Sequence, residues 1–292
     1  MKTYFPPSEL IINPDNSVFH LHLKPEQLAD KVILVGDPGR VSAIAAHLDT
    51  CECEVSSREF HTVTGTYQGK RLTVVSTGIG CDNIDIVLNE LDALANIDFS
   101  TRCVKPNLRQ LEIVRIGTCG GLQPETPEGT FIASVKSIGL DGLLNFYAGR
   151  NEVCDLELQS QFLEAMKWEG DQCMTHPYAV DADESLVERI ACRDMVRGIT
   201  IACGGFFGPQ GRELRIPLAD PMQNSKIMDF KYGDLRITNF EMESSAVAGL
   251  SRLLGHKALT VCMVIANRVA GKARPDYKAS MESLITLVLD RI

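Results

Sequence analysis

The sequence predicts an α/β fold built on a parallel or mixed sheet, and three features carry that prediction. Short, wholly apolar runs recur along the 292 residues, as expected of strands buried on both faces. Longer stretches with apolar residues at helical spacing separate them. Glycine-rich turns stand where the apolar runs end.

Residues 31–35 are the first apolar run, ending in Gly36-Asp37-Pro38-Gly39, and Val41, Ile44, Ala45 and Leu48 then follow at helical spacing. Residues 60–66 and 71–76 alternate around Gln68-Gly69 as a hairpin does. The loop 77–80 leads into an amphipathic helix with Ile84, Val87, Leu88, Leu91 and Leu94. Residues 112–116 read as a buried strand followed by a glycine loop over 117–121. Further strands are expected over 130–138, 200–203 and 259–266, and helices over 156–168 and 276–292. Residues 97–110 read as a surface excursion. Residues 204–236, rich in Gly, Pro and charge, read as a lid over a site. Without repeats or low-complexity linkers, 1–292 is expected to be one domain, with 1–17 as an N-terminal extension.

Bulk properties narrow the partners. Hydrophobic content of 45 % and charged content of 23 % are those of a soluble globular chain. A net charge of −9 argues against nucleic acid, whose phosphate backbone calls for a basic face. No apolar run approaches the ~20 residues that span a bilayer, so no membrane partner is expected. Ten scattered cysteines form no C-x-x-C pair, and no secretory leader is read at the start, so reduced thiols and a cytoplasmic location are expected. Metal motifs such as H-E-x-x-H and the G-x-x-x-x-G-K-[ST] phosphate loop are absent from the sequence.

Several local patterns carry chemistry. Glu241-Met242-Glu243-Ser244 puts two carboxylates around a thioether at a helix start; it serves as an acidic cap, or it holds a ribose through its vicinal hydroxyls. Gly36-Asp37-Pro38-Gly39-Arg40 joins a strand to a helix and suits an anion, as any such turn with one arginine does. Arg115-Ile116-Gly117-Thr118 places an arginine in an apolar strand, where it needs either a buried acid or an anionic ligand. Ser57-Arg58-Glu59-Phe60 reads as a charged strand edge and Val18-Phe19-His20-Leu21 as a strand with a histidine. Phe206-Phe207-Gly208-Pro209-Gln210-Gly211-Arg212 gathers an aromatic face, an amide and a guanidinium, which together can read the edge of a planar heterocycle.

Taken in order, these segments resemble the nucleoside phosphorylase-I family, and within it the uridine phosphorylases. The likeness runs from about Val18 to the C-terminus and includes Ser76-Thr77-Gly78-Ile79-Gly80, Leu140-Asp141-Gly142 and Asn267-Arg268. It implies α/β/α layers around a central mixed, partly barrel-like β-sheet, and reversible phosphorolysis of a nucleoside to free base and ribose 1-phosphate. Uridine, with deoxyuridine or thymidine as further substrates, is the implied nucleoside, in pyrimidine salvage.

By that resemblance Gly36, Arg40, Arg115 and Thr118 hold phosphate, joined by Arg58 from a neighbouring subunit. Glu243 and Met242 hold the ribose, with His20 lent by the neighbour. Phe206, Gln210 and Arg212 hold the base, and Arg115, Gln210 and Arg212 carry catalysis. Asn267 stands where purine-cleaving relatives carry an acid. Self-association with shared sites is implied. Inorganic phosphate is the co-substrate and no cofactor is required; Glu59 and Ile79 match two ligands of a potassium site found in several relatives, and Asn83 departs from its serine, so the resemblance allows potassium at Glu59, Ile79 and Asn83 without requiring it. The competing readings are a purine phosphorylase or nucleosidase of the same fold, and a non-catalytic nucleoside-binding protein.

Overall fold

The computed structural model describes residues 4–168, 175–273 and 276–292. The first half runs β1 (Lys31–Val35), α1 (Pro38–Ala45), β2 (Thr50–Ser57), β3 (Phe60–Tyr67), β4 (Lys70–Ser76), α2 (Cys81–Asn96), β5 (Ile97–Asp98), β6 (Cys103–Val104), β7 (Glu112–Gly121) and β8 (Phe131–Gly139). There follow α3 (Arg150–Val153), α4 (Leu156–Met166), β9 (Tyr178–Asp181), α5 (Glu184–Ile190), β10 (Val196–Ala202) and α6 (Gln223–Asp229). The chain closes with β11 (Lys231–Tyr232), β12 (Leu235–Glu241), α7 (Ser244–Leu253), β13 (Lys257–Asn267), β14 (Lys272–Ala273) and α8 (Lys278–Arg291).

Among the described residues twelve strands form one mixed sheet, ordered β11-β12-β10-β8-β13-β7-β1-β4-β3-β2, with β14 on β13 and β9 on β8. A second pairing of β12 with β7, Asn239↔Gly121 and Phe240↔Gly120, closes β7, β13, β8, β10 and β12 into a ring. The rest stays open, so the sheet is the mixed, partly barrel-like one expected.

The period of two in β1 shows how the layers form. Val32 and Leu34 pack into a core with α2 and α7 on one face, through Leu88, Leu91, Val247 and Leu250. Ile33 and Val35 pack with α1, α5 and α8 on the other, through Ile44, Ile190, Leu284 and Val288. A strand covered on both faces has no polar side, which is why this run reads as wholly apolar. A third cluster joins α4 and α6 to β10 and β12 through Phe162, Ile227, Ile201 and Ile237.

The structure departs from expectation in several places. The glycine segment 117–121 is no loop: β7 continues through Gly121. A Cβ on Gly121 would lie 2.5 Å from the Thr126 carbonyl oxygen, so glycine there lets the segment after β7 fold back closely against the strand. Asn239 to Glu241 lie in β12, and α7 begins only at Ser244. Residues 97–110 contain the small antiparallel pair β5–β6. The polar strand β2 was not anticipated; it lies at the sheet's edge, where exposed side chains erase the apolar pattern. The hairpin held, with Gln68 and Gly69 both at positive φ, 49° and 77°, as a two-residue turn requires. No helix among the described residues is long and apolar enough to cross a membrane. The nine described cysteines are free, and Cys173 lies outside the described residues.

Candidate active site

The register of three parallel strands builds the site. Val35 of β1 pairs with Ser76 of β4 and Ile116 of β7, so at the carboxyl end of β1 and β4 Gly36 and Thr77 leave their strands beside Gly117, from which β7 runs on. A cavity of about 780 Å³ opens there. Open α/β sheets place ligands at that end, because the strand termini splay and the following helices point their N-termini inward.

One end of the cavity is cationic. Asp37 caps α1, accepting the Gly39 N–H at 2.9 Å, with Pro38 in the first turn. This fixes the turn so that Arg40 lies buried, its Nη1 donating to the Ile116 carbonyl at 3.2 Å. Burial pulls the Arg40 pKa below its ordinary value. Arg115 projects from β7, with Nη1 3.2 Å from Glu241 Oε2 and Nη2 bonded to Glu243 Oε2. Burial opposes its charge, but Glu243 and Glu241 outweigh burial and hold its pKa above the ordinary value. A Cβ on Gly117 would stand 2.4 Å from Arg115 Nη1, so glycine leaves the room the guanidinium occupies. Gly36 and Thr118 line the same cavity. Arg115 thus has the buried acid that an apolar strand demands, and it also faces the cavity.

The middle wall is the β12–α7 junction. Glu241 accepts the N–H of Glu243 at 2.8 Å, that of Ser244 at 2.9 Å, and the Ser244 hydroxyl at 2.6 Å. It therefore satisfies the open donors at the start of α7. Burial raises its pKa against the pull of Arg115. Glu243 accepts the Gly80 N–H at 2.8 Å through Oε1, and Met242 lines the cavity beside it. Behind α7, Asp141 accepts hydroxyls from Tyr178 and Ser245, each at 2.8 Å, which ties the helix start to the end of β8.

The far end is aromatic. The Arg212 guanidinium carbon lies 3.7 Å from the centre of the Phe206 ring. Its Nη1 donates to Gln210 Oε1 at 2.5 Å and to the Phe206 carbonyl at 2.6 Å. Burial pulls the Arg212 pKa down to about 10, and Arg268 adds to the shift. Arg268 is the residue whose role sequence reasoning missed: its Nη2 donates to the Gln210 carbonyl at 2.7 Å and pins the turn that carries Gln210 and Arg212. Its position beside Asn267 at the end of a buried strand was the available signal. Asn267 itself does not line the cavity; its amide donates to the carbonyls of Gln123 at 3.0 Å and Thr126 at 2.7 Å.

His20 and Arg58 do not line this cavity within one chain. They meet each other across Phe19 instead: Arg58 lies 5.5 Å over the Phe19 ring, and the His20 ring packs edge-on to it at 4.9 Å. Glu90 holds His20 in place, 2.7 Å from Nδ1 and accepting its backbone N–H at 2.9 Å. Glu59, Ile79 and Asn83 line the rim around Gly78. No cluster of three or more His, Cys, Asp or Glu side chains suited to a metal ion occurs among the described residues.

A single cavity thus joins a cationic end, a carboxylate and an aromatic amide-guanidinium face. The family model for the phosphorylase superfamily matches residues 30–288. The chain belongs to this superfamily. It is 30 % identical over 277 residues to a uridine phosphorylase of Thermococcus kodakarensis, covering 93 % of this chain and 86 % of that one. A Trypanosoma brucei nucleoside phosphorylase, described as showing uridine phosphorylase activity, superposes with a TM-score of 0.87 at 28 % identity, covering 97 % of this chain and 98 % of the other. A guanosine phosphorylase of Halorubrum lacusprofundi is 25 % identical over 257 residues, covering 87 % of this chain and 86 % of its own. The phosphorylase chemistry is common to these relatives; their bases differ. The chain is accordingly an enzyme of the pentosyl-transferring kind.

Proposed function

We propose that the protein cleaves uridine with phosphate, giving uracil and ribose 1-phosphate, and that it accepts deoxyuridine or thymidine as well. The observation that supports this best is the meeting of Arg40 and Arg115, Glu243 and Met242, and Phe206, Gln210 and Arg212 around one cavity of about 780 Å³. In this reading phosphate takes the Gly36, Arg40, Arg115 and Thr118 end. The ribose hydroxyls bind Glu243, and the uracil stacks on Phe206 with its polar edge toward Gln210 and Arg212.

A phosphate oxygen forms the new bond to C1′ as the C1′–N1 bond breaks, and the base leaves with the electron pair. Positive charge gathers on the ribose, beside the phosphate anion and Glu243. Negative charge gathers on the uracil, beside the Arg212 cation. Both attractions grow toward the transition state, which is what lowers the barrier. An amide at Asn267, already committed to two main-chain carbonyls, supplies no proton to a purine, and this favours a pyrimidine.

Arg58 and His20 reach a site only from a second copy in this reading, so the working unit is at least a dimer. Where potassium is taken up, Glu59, Ile79 and Asn83 would hold it, and no step of the reaction runs through it. Incubating the purified protein with uridine, thymidine, cytidine and inosine, with and without phosphate, tests the proposal by chromatography of the free base. Uracil release that depends on phosphate is the expected result. Release without phosphate would mean a nucleosidase, hypoxanthine as the main product a purine enzyme, and binding without release a nucleoside sensor.

A further inference from the structure

A second cavity, of about 740 Å³, lies on the other side of the 206–212 turn. Its inner wall is Leu140 and the buried Trp168, and its outer wall is Phe207, Leu214, Ile216 and Leu218. Leu214 and Ile216 are 72 % and 82 % exposed. Apolar side chains left in water around a concavity of drug-like size are the usual mark of a ligand site. The segment that carries them has no other covering among the described residues.

Charge at the rim selects the ligand. Three charged residues line it: Arg212, Arg215 and Asp220. Lys226 neutralises Asp220 at 2.7 Å. Arg215 has no such ion pair among the described residues. The balance is therefore an apolar chamber with a cationic lip. We propose that this cavity binds an amphipathic organic anion, with a planar apolar body against Trp168 and Leu218 and a carboxylate or sulfonate at Arg215.

The cavity abuts the catalytic one. Arg212 lines both. Phe207 packs edge-on to Phe206, with ring centres 5.2 Å apart. An occupant therefore bears on the wall that holds Phe206 and Arg212 without entering the nucleoside's place.

Direct binding tests the proposal without reference to any reaction, so its failure is separable from failure of the uridine assay. Trp168 is the single tryptophan of the chain and lies in the cavity wall, so its emission reports the occupant. The purified protein is titrated with anilinonaphthalene sulfonate, which should bind with a single molecule per chain and quench Trp168 by energy transfer. Leu218→Glu and Ile216→Glu should each weaken binding by roughly tenfold, because they set a carboxylate against the apolar body and the anion. Arg215→Gln should weaken it by about threefold, the effect of one exposed charge. Phe146→Glu, at an 89 % exposed position away from the cavity, should change nothing. Thermal melting confirms that each variant is folded. Absence of the Trp168 signal, equal weakening by Phe146→Glu, or displacement of the dye by uracil would each overturn the assignment.

Discussion

Arg115 and Glu241 meet in the interior with Nη1 3.2 Å from Oε2, and their side chains are only 5 % and 1 % exposed. The contact links the cationic end of the cavity to the helix start that forms its middle wall. A buried arginine without an acid is costly, and Glu241 also satisfies the first donors of α7. Glu243, the second acid on Arg115, is then oriented by the backbone that Glu241 holds.

Glu241→Ala should therefore cost about 1–3 kcal/mol of stability, the range for leaving buried donors unpaired, since Glu243 still compensates the Arg115 charge. Urea unfolding measures it. Glu241→Gln should cost less, because its amide oxygen still accepts the Ser244 N–H. Equal stability of the alanine variant and the parent would mean that the pair carries no structural role.

Arg212→Ala should lower kcat with uridine by at least about tenfold, since its charge is called on as the base departs. Steady-state kinetics should show little change in the KM for phosphate, which the proposed reading puts at the opposite end of the cavity. Near-normal turnover would remove Arg212 from the leaving-group role.

Arg268→Ala should act through the turn it pins. With the bond to the Gln210 carbonyl gone, the nucleoside KM should rise by roughly threefold to tenfold, as expected when a contact residue loses its fixed position. The KM for phosphate should stay put. A drop in stability with unchanged nucleoside KM would show that the clamp serves folding alone.

Glu112 offers a pH test. Burial would raise its pKa, but Arg189 and Lys31, at 2.8 Å and 2.7 Å, outweigh burial and lower it from 4.5 to about 2. A carboxylate with a depressed folded-state pKa stabilises the fold above its unfolded value, and this is lost as pH falls through 4.5 toward 2. Glu112→Gln should therefore be less stable than the parent at about pH 7, with the gap roughly halved near about pH 3 and closed only near about pH 2. Urea midpoints across that range decide it, and a gap that does not narrow between about pH 7 and about pH 3 would count against the ion pairs.

Much of the site was legible because each piece follows a local rule. Gly36, Asp37 and Pro38 mark a strand-to-helix turn, and an arginine in the apolar run of β7 announces a buried partner. The identity of that partner was not legible. Glu241 and Glu243 lie 126 and 128 residues from Arg115, and only the β7–β12 pairing that closes the ring brings them together. The continuation of β7 through its glycines was hidden for the same reason: glycine signals a turn locally, whereas here it permits another segment to approach. The position of Arg268 at the end of a buried strand marked it, but not its task, because its partner is a carbonyl on a turn 58 residues away.

Alternation of buried runs and helical spacing was enough, in this chain, to establish the α/β class, since burial on both faces of a strand leaves its mark residue by residue. The order of short motifs was enough to indicate the superfamily. Tertiary structure alone decided which strands close the ring, that Arg115 is shared between two acids, that Asn267 serves the backbone, and that a second apolar chamber lies behind Arg212. Each of these depends on contact between segments far apart in sequence, and contacts at that range are set by the packing of the whole chain.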